Sequence, residues 1–465
     1  MNKNKGIILL GFLAFGSLFV LSIVYFKERI IFLDPVFQLA YMIRDGGFAI
    51  QVNRYAAVLT KIFPYLAIKL SLPLYAITLI YSVSFVIYNF LIFIVIAKFI
   101  KNQKWALFLL LFNILMISHS FYWPAIELNQ GIALMILYFS LLDKKLKFNK
   151  NIILFFIIIL VPTVIFAHPL AIIPFVFISF YLYLFEKRYT DLFFLGIGSV
   201  IAVISLFINK IFFRNWYDEM NMGRLSNFVK LFPDYFNIKS NADFFDYLIK
   251  DYYVSLILLI VIIVWFILHK KYLRLIYIIF FIVSYILLVN ITFPEGAVHF
   301  FAESKYILLS IFIIMPLVYD IYQEISFKAS FYVLILVIMV RIIHISECHT
   351  LYSARLDILR EVIDKTKNLD NKKLIFRQSD FPMDTMMMTW SSAYEFWLLS
   401  ALENKEQRSI IIDENPERFD SLLNRNDIFL EEWRVYRYSD FPDKYFKFTD
   451  TTNYKKYPGL ILKQE

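Results

Sequence analysis

The sequence predicts a polytopic α-helical membrane protein of about 11 transmembrane helices, with a small soluble α/β domain at its C-terminal end. Three observations predict it. Of 465 residues, 60% are hydrophobic and 19% aromatic against only 11 Gly; apolar runs of about 20 residues recur, each long enough to cross a hydrocarbon core of ~30 Å. Lysine-rich loops alternate with loops that carry acids, the pattern by which a chain orients against a membrane. After His344 the composition turns charged and mixed for about 120 residues, enough for a domain of its own. The net charge of +9 sits mainly in short loops between apolar runs, so no nucleic-acid partner is implied. A single cysteine, Cys348, excludes an intrachain disulfide framework and reads as inert, and no Cys/His cluster has zinc spacing.

In chain order, residues 6–26 follow Lys3 and Lys5 and are too long for a signal-peptide core, so they read as an uncleaved anchor with its N-terminus inside. The first outer loop, 27–72, holds an amphipathic stretch at 35–43, a turn at Asp45-Gly46-Gly47, and an apolar helix at 55–70 interrupted by Lys61, Pro64 and Lys69. Two lysines at the bilayer centre would cost about 2.5–3.5 kcal/mol each, which places that helix on the outer interface. The next span, 73–97, then runs inward to Lys98, Lys101 and Lys104, as the positive-inside rule requires. Alternation carries on through 105–118, 124–142, 151–167, 169–185 and 191–213 to a long polar outer loop, 214–252. Spans at 254–268, 275–291, 306–318 and 331–345 complete a membrane domain over 1–345. The soluble domain, 346–465, is expected outside, with strands at 373–376, 409–412 and 460–462 and helices at 394–402 and 416–423. Its expected role is a lid or docking surface. The cytoplasmic membrane is the expected location.

The candidate chemistry lies on the outer side. Asp34, in Phe32-Leu33-Asp34-Pro35, is the first candidate for a general base. Asp before Pro is also how a helix begins, with Asp as N-cap and proline at the first helical position. Glu127 heads the fourth span, His168 sits in a tight outer turn, and His299, Glu303 and Lys305 precede the tenth span. Ionisable groups at or near the bilayer are costly to keep without use. Singly, each also has a structural reading: Glu127 as a first-turn acid on the helix dipole, Lys305 as an interface anchor or neutralised by Glu303.

Several stretches resemble the GT-C glycosyltransferases, in particular the protein O-mannosyltransferases and the lipid A aminoarabinose transferases. The first outer loop, with Asp34-Pro35-x-Phe37-x-x-Ala40-x-Met42, Gly46-Gly47-Phe48 and the 55–70 helix, resembles theirs. Trp123-Pro124 with Glu127 resembles their second outer loop, and Lys305-Tyr306-Ile307-Leu308-Leu309 followed by Pro316 resembles the stretch opening a late span. The sequence departs from the pattern where Pro35 replaces a second acid and Phe37 a usual tyrosine, which bears on substrate and metal dependence. The resemblance implies inverting transfer of a sugar from a polyprenyl-phosphate donor to a glycan, lipid or protein acceptor outside the cytoplasmic membrane. Asp34 and Glu127 are then the expected catalytic acids; His168, His299, Glu303, Lys305, Tyr306, Arg214 and Arg224 are the expected substrate contacts. No cofactor is identified; if a divalent cation serves the site, Asp34 and Glu127 are its expected ligands. A polysaccharide polymerase or ligase of the cell envelope is the alternative, and it makes Arg214 and Arg224 essential rather than Asp34. A transporter ranks third, because few ionisable residues fall near the middle of a span.

Overall fold

The computed structural model describes residues 3–144, 148–403, 405–448 and 452–457. Among the described residues, six helices are long and apolar enough to cross a membrane: Lys3–Val24, Leu74–Ile100, Lys150–Ala167, Leu192–Phe212, Tyr272–Thr292 and Phe327–Lys365. The number rises to eight if the bent pairs Lys239–Lys250 with Tyr253–Leu268 and His299–Tyr306 with Leu309–Glu324 each count once. The chain is a helical, multi-pass membrane protein. The sequence expects about eleven spans, and the difference lies in short helices: Gln103–Phe112 has 10 residues, Glu127–Ser140 has 14 and Ile172–Phe185 has 14. The first of these stops at Phe112 because Arg341, fully buried, takes over the carbonyls beyond it. Its guanidinium donates to Ile114 O at 3.0 Å and Ile117 O at 2.7 Å. Irregular backbone at membrane depth is tolerated where protein groups satisfy it in this way.

The loops sort to two ends. At one end, Lys144 N–H donates to Tyr189 O at 2.9 Å, the Lys104 ammonium lies 4.4 Å from the Tyr319 ring centroid, and Lys271 pairs with Glu324 at 2.9 Å. These are the basic loops of the sequence. The helix Leu33–Asp45, the turn His119–Tyr122, His168 and the helix Trp216–Gly223 gather at the other end.

The helix Phe327–Lys365 runs unbroken through position 345, where composition places the domain boundary. Its 39 residues extend ~58 Å, about twice the hydrocarbon thickness, so its second half exceeds a membrane-spanning length and leads into the C-terminal α/β unit. That unit has strands Lys373–Arg377, Ser409–Asp413 and Lys455–Lys456 in a parallel sheet with Lys373–Arg377 in the middle, and a separate antiparallel hairpin, Ile428–Leu430 with Val435–Arg437. The segment expected as a helix at 416–423 is a 3-10 helix, Pro416–Leu422; the strand expected at 460–462 lies outside the described residues. Helix Ser392–Leu402 is buried along nearly its whole length, and Phe396 and Leu399 share a core with Val36, Leu39 and Ile43 of Leu33–Asp45. The soluble unit is therefore packed onto the helix that carries Asp34.

Candidate functional site

Asp34 lies in the first turn of Leu33–Asp45, but the N-cap is Phe32, and it makes no side-chain cap bond. Its carboxylate faces the interior of the site instead, where Oδ2 accepts from the Trp123 indole Nε1 at 3.0 Å. The residue before it, Leu33, is buried with φ of 41°, a left-handed conformation that a branched side chain rarely adopts. What holds it there is Glu395 of the soluble unit, whose Oε1 accepts the Leu33 N–H at 3.2 Å. Glu395 is in turn gripped by Arg355, Nη2 to Oε2 at 2.7 Å, with both side chains buried. Strain of this kind persists only where surrounding structure over-determines it.

Around Asp34 the charges are close. Glu127, the first residue of its helix, pairs with Arg54 Nη1 at 3.5 Å, and Arg54 Nη2 reaches Asp218 Oδ1 at 2.9 Å. Lys61 is 2% exposed and donates to Ala49 O at 2.9 Å. The lysine points inward from its helix, and its charged neighbours are Glu127 and Asp34. Burial pushes the Asp34 carboxyl up to about 6, with Glu127 adding repulsion, while the Trp123 bond and Lys61 oppose the rise. Burial likewise draws the Lys61 ammonium down to about 8, against the pull of Glu127 and Asp34.

Asp34, Glu127, Arg54 and Asp218 line a cavity of about 1060 Å³ at the upper end of the size of small-molecule sites, and Lys61 stands behind its wall. Of the residues singled out in the sequence, Asp34, Glu127, His168 and Lys305 line it. His168 Nδ1 accepts the Leu170 N–H at 3.1 Å, which leaves the proton on Nε2. Burial, then Arg54 and Lys305, hold the ring well below its usual range, so it is a neutral donor. Lys305 has no carboxylate at ion-pair distance among the described residues. Its ammonium donates to Phe301 O at 3.3 Å and sits 3.2 Å from the Phe301 ring centroid and 4.6 Å from that of Phe293. Arg224 takes the same Phe293 ring at 4.6 Å, so two cations flank one phenylalanine. From the soluble unit, Trp390 and Trp433, with centroids 5.0 Å apart, and Arg434 complete the wall.

Five expected contacts are not among the residues lining the cavity: Arg224, which stands behind Phe293, and four that lie elsewhere. Glu303 is fully buried and accepts the backbone N–H groups of Ser118, His119 and Ser120 at 2.7, 3.1 and 2.9 Å, together with the Tyr252 hydroxyl at 2.9 Å. It clamps the 118–120 backbone and does not neutralise Lys305. Tyr306 is buried and donates to Asn290 Oδ1 at 2.6 Å. His299 stacks on Tyr247, centroids 3.8 Å apart, away from the cavity. Arg214 is exposed and donates to Lys210 O at 3.0 Å. As ligands for a cation, Asp34 and Glu127 fit poorly, because the protein's own Lys61 and Arg54 already stand beside them. The one group of three or more candidate ligands among the described residues is another, His119, Asp251 and Cys348. The sequence reading missed Arg54 and the tryptophans Trp390 and Trp433, and it used Lys61 only to place its helix. For Lys61 the signal was present: a lysine that a membrane helix would reject needs a partner.

Compared with known protein families, with curated proteins and with solved structures, the chain finds no match.

Proposed function

We propose that this protein is a membrane glycosyltransferase that moves a sugar from a polyprenyl-phosphate donor to an acceptor hydroxyl, with inversion, and that its architecture is of the GT-C kind. One observation carries the reading: a single cavity brings together a carboxyl poised near 6 and a lysine that has no carboxylate partner among the described residues and is wrapped in aromatic surface. Asp34 takes the acceptor hydroxyl proton as that oxygen bonds to the anomeric carbon, and the bond from that carbon to the lipid phosphate breaks. Lys305 and Arg224 hold the departing phosphate, and the neutral His168 donates a further hydrogen bond through Nε2. Leu288, Val289, Phe293 and Phe301 give the prenyl tail an apolar wall beside that lysine. Trp390 and Trp433 give the acceptor sugar flat aromatic faces.

In this reading the chain crosses about eleven times, because the segments with short helices still run from the basic end to the cavity end. The basic end and the N-terminus face the cytoplasm. The cavity and the soluble unit face outward from the cytoplasmic membrane. The test uses the full chain in nanodiscs with a panel of polyprenyl-phosphate hexoses and pentoses and a membrane extract as acceptor source. Release of polyprenyl phosphate is the readout. Asp34→Asn should lower it by about 100-fold or more while the protein stays folded; release at the wild-type rate rules out Asp34 as base.

A further inference from the structure

A second cluster of ionisable groups lies outside the cavity, on the far side of the Glu303 clamp. It draws on four elements distant in sequence: His119 from the turn after the third span, Asp251 at the 89° bend between Lys239–Lys250 and Tyr253–Leu268, His299 at the start of its helix, and His344 with Cys348 on the long helix. Three imidazole Nε2 atoms approach one carboxylate. His344 lies 3.0 Å from Asp251 Oδ1, His299 lies 3.4 Å from Oδ2 and His119 lies 3.9 Å from Oδ1. The Cys348 thiol is 3.8 Å from His344 Nε2, and ligand atoms of His119, Asp251 and Cys348 all lie within 4.8 Å of one another.

Hydrogen bonding accounts for only part of this. His344 to Asp251 has the length of a hydrogen bond, but His119 at 3.9 Å does not. His119 Nδ1 is buried and makes no hydrogen bond. Unsatisfied buried nitrogens are costly unless something else occupies them. The spacings among His119, Asp251 and Cys348 do suit co-ligands of one ion, since ligands at Zn–N or Zn–O lengths of ~2.0–2.1 Å stand about 3.3 Å apart and a sulfur somewhat farther. Charge points the same way. Asp251 and Glu303 bring two formal negatives to this buried region and Arg341 brings one positive, its guanidinium spent on Asp251 O, Ile117 O and Ser118 Oγ. With the histidines neutral, as ligands must be, a divalent ion and the Cys348 thiolate close that balance to zero; the thiol proton leaves to solvent on ligation.

We infer that His119, Asp251 and Cys348, with His344 beside Asp251 and Cys348 as the nearest fourth donor, form a structural site for a borderline-soft divalent cation of the zinc class, with His299 packed behind it. Mixed nitrogen, oxygen and sulfur donors select that class over magnesium or calcium. Such an ion ties the turn that leads to Trp123 to the bend at Asp251 and to the helix that carries the soluble unit. It does so without entering the cavity, so the inference stands apart from the proposed transferase chemistry.

The full-length protein in detergent, stripped with chelator and then equilibrated with Zn2+ or Co2+ at neutral pH, is the test. Wild type should retain about one metal per chain by elemental analysis, and the Co2+ form should show the intense visible bands of a four-coordinate site with a thiolate charge-transfer band. Asp251→Asn and His119→Gln should each lower affinity by about ten-fold or more, and Cys348→Ser should abolish the thiolate band. Chelation of wild type should lower its melting temperature, and Zn2+ should restore it. Wild type that retains no Zn2+ and no Co2+, or a cobalt form without the thiolate band, overturns the inference, and neither outcome depends on a variant folding. Equal retention in a folded Asp251→Asn protein overturns it too, leaving the cluster a hydrogen-bonded one.

Discussion

At the residue scale the account turns on the ionisation of Asp34. A base whose carboxyl titrates near 6 is inactive when protonated, so kcat/KM should fall on the acid side with a midpoint of about 6. The indole of Trp123 stabilises the ionised form, so Trp123→Phe should move that limb to higher pH; a pH–rate profile checks the direction. The same shift has a cost in stability. The carboxyl binds its proton more tightly folded than at its ordinary 3.8, so the folded state loses stability as pH rises from 3.8 through about 6. Asp34→Asn should therefore unfold no more easily than wild type at neutral pH, and by this term is more stable by on the order of 1–3 kcal/mol. Loss of turnover with unchanged or raised thermal stability separates a base from a cap. Lys305 is argued on its surroundings: Lys305→Met should lower donor kcat/KM by about ten-fold while the acceptor KM stays nearly unchanged, as steady-state kinetics in both substrates would report. Asp34, Glu127, His168 and Lys305 were legible because ionisable residues at span ends are expensive. Glu303 and Tyr306 were legible as unusual yet read wrongly, since a buried acid that takes backbone N–H groups looks in sequence like one aimed at substrate.

At the scale of elements, the link from Arg355 through Glu395 to the Leu33 N–H ties the soluble unit to the turn before the base. Glu395→Gln leaves a buried guanidinium without its charge partner and should destabilise the protein by roughly 3–5 kcal/mol. Replacing both partners, Arg355→Met with Glu395→Met, removes that unpaired charge and should recover much of the stability, since buried pairs often exchange for apolar groups at little net cost. Turnover should stay low in the double variant, because Leu33 has lost the acceptor that holds its left-handed backbone. Thermal unfolding and kinetics on the same samples separate the two effects; a double variant with normal turnover would make the clamp structural only. None of this was readable in advance. The strands at 373–377 and 409–413 announce themselves by apolar, β-branched runs, but a contact between positions 33 and 395 has no local signature. The hairpin of two three-residue strands was too short for its alternation to register.

For the whole molecule, sorting of the loops was the most legible property, since lysine distribution reflects membrane orientation more than packing. Reporter fusions after Lys187 should read cytoplasmic and fusions after Leu369 extracytoplasmic; a cytoplasmic reading at Leu369 would put the cavity on the wrong side for a lipid-linked donor used outside the cell membrane. The length of the helices was less legible, because hydropathy cannot see that Arg341 satisfies the carbonyls of Ile114 and Ile117 beyond the helix end at Phe112. The cluster at Asp251 was invisible for a related reason: zinc spacing is a local pattern, and these ligands come from positions 119 to 348. The central claim, sugar transfer with Asp34 as base, is tested most directly by mass spectrometry of envelope glycans and lipid-linked sugars in cells that carry wild type, a deletion or Asp34→Asn. The account predicts that the deletion and Asp34→Asn share one defect, an envelope acceptor short by a single sugar residue with the polyprenyl-phosphate sugar accumulated. Unchanged glycans and lipid-linked sugars in the deletion strain, or full complementation by Asp34→Asn, would contradict it.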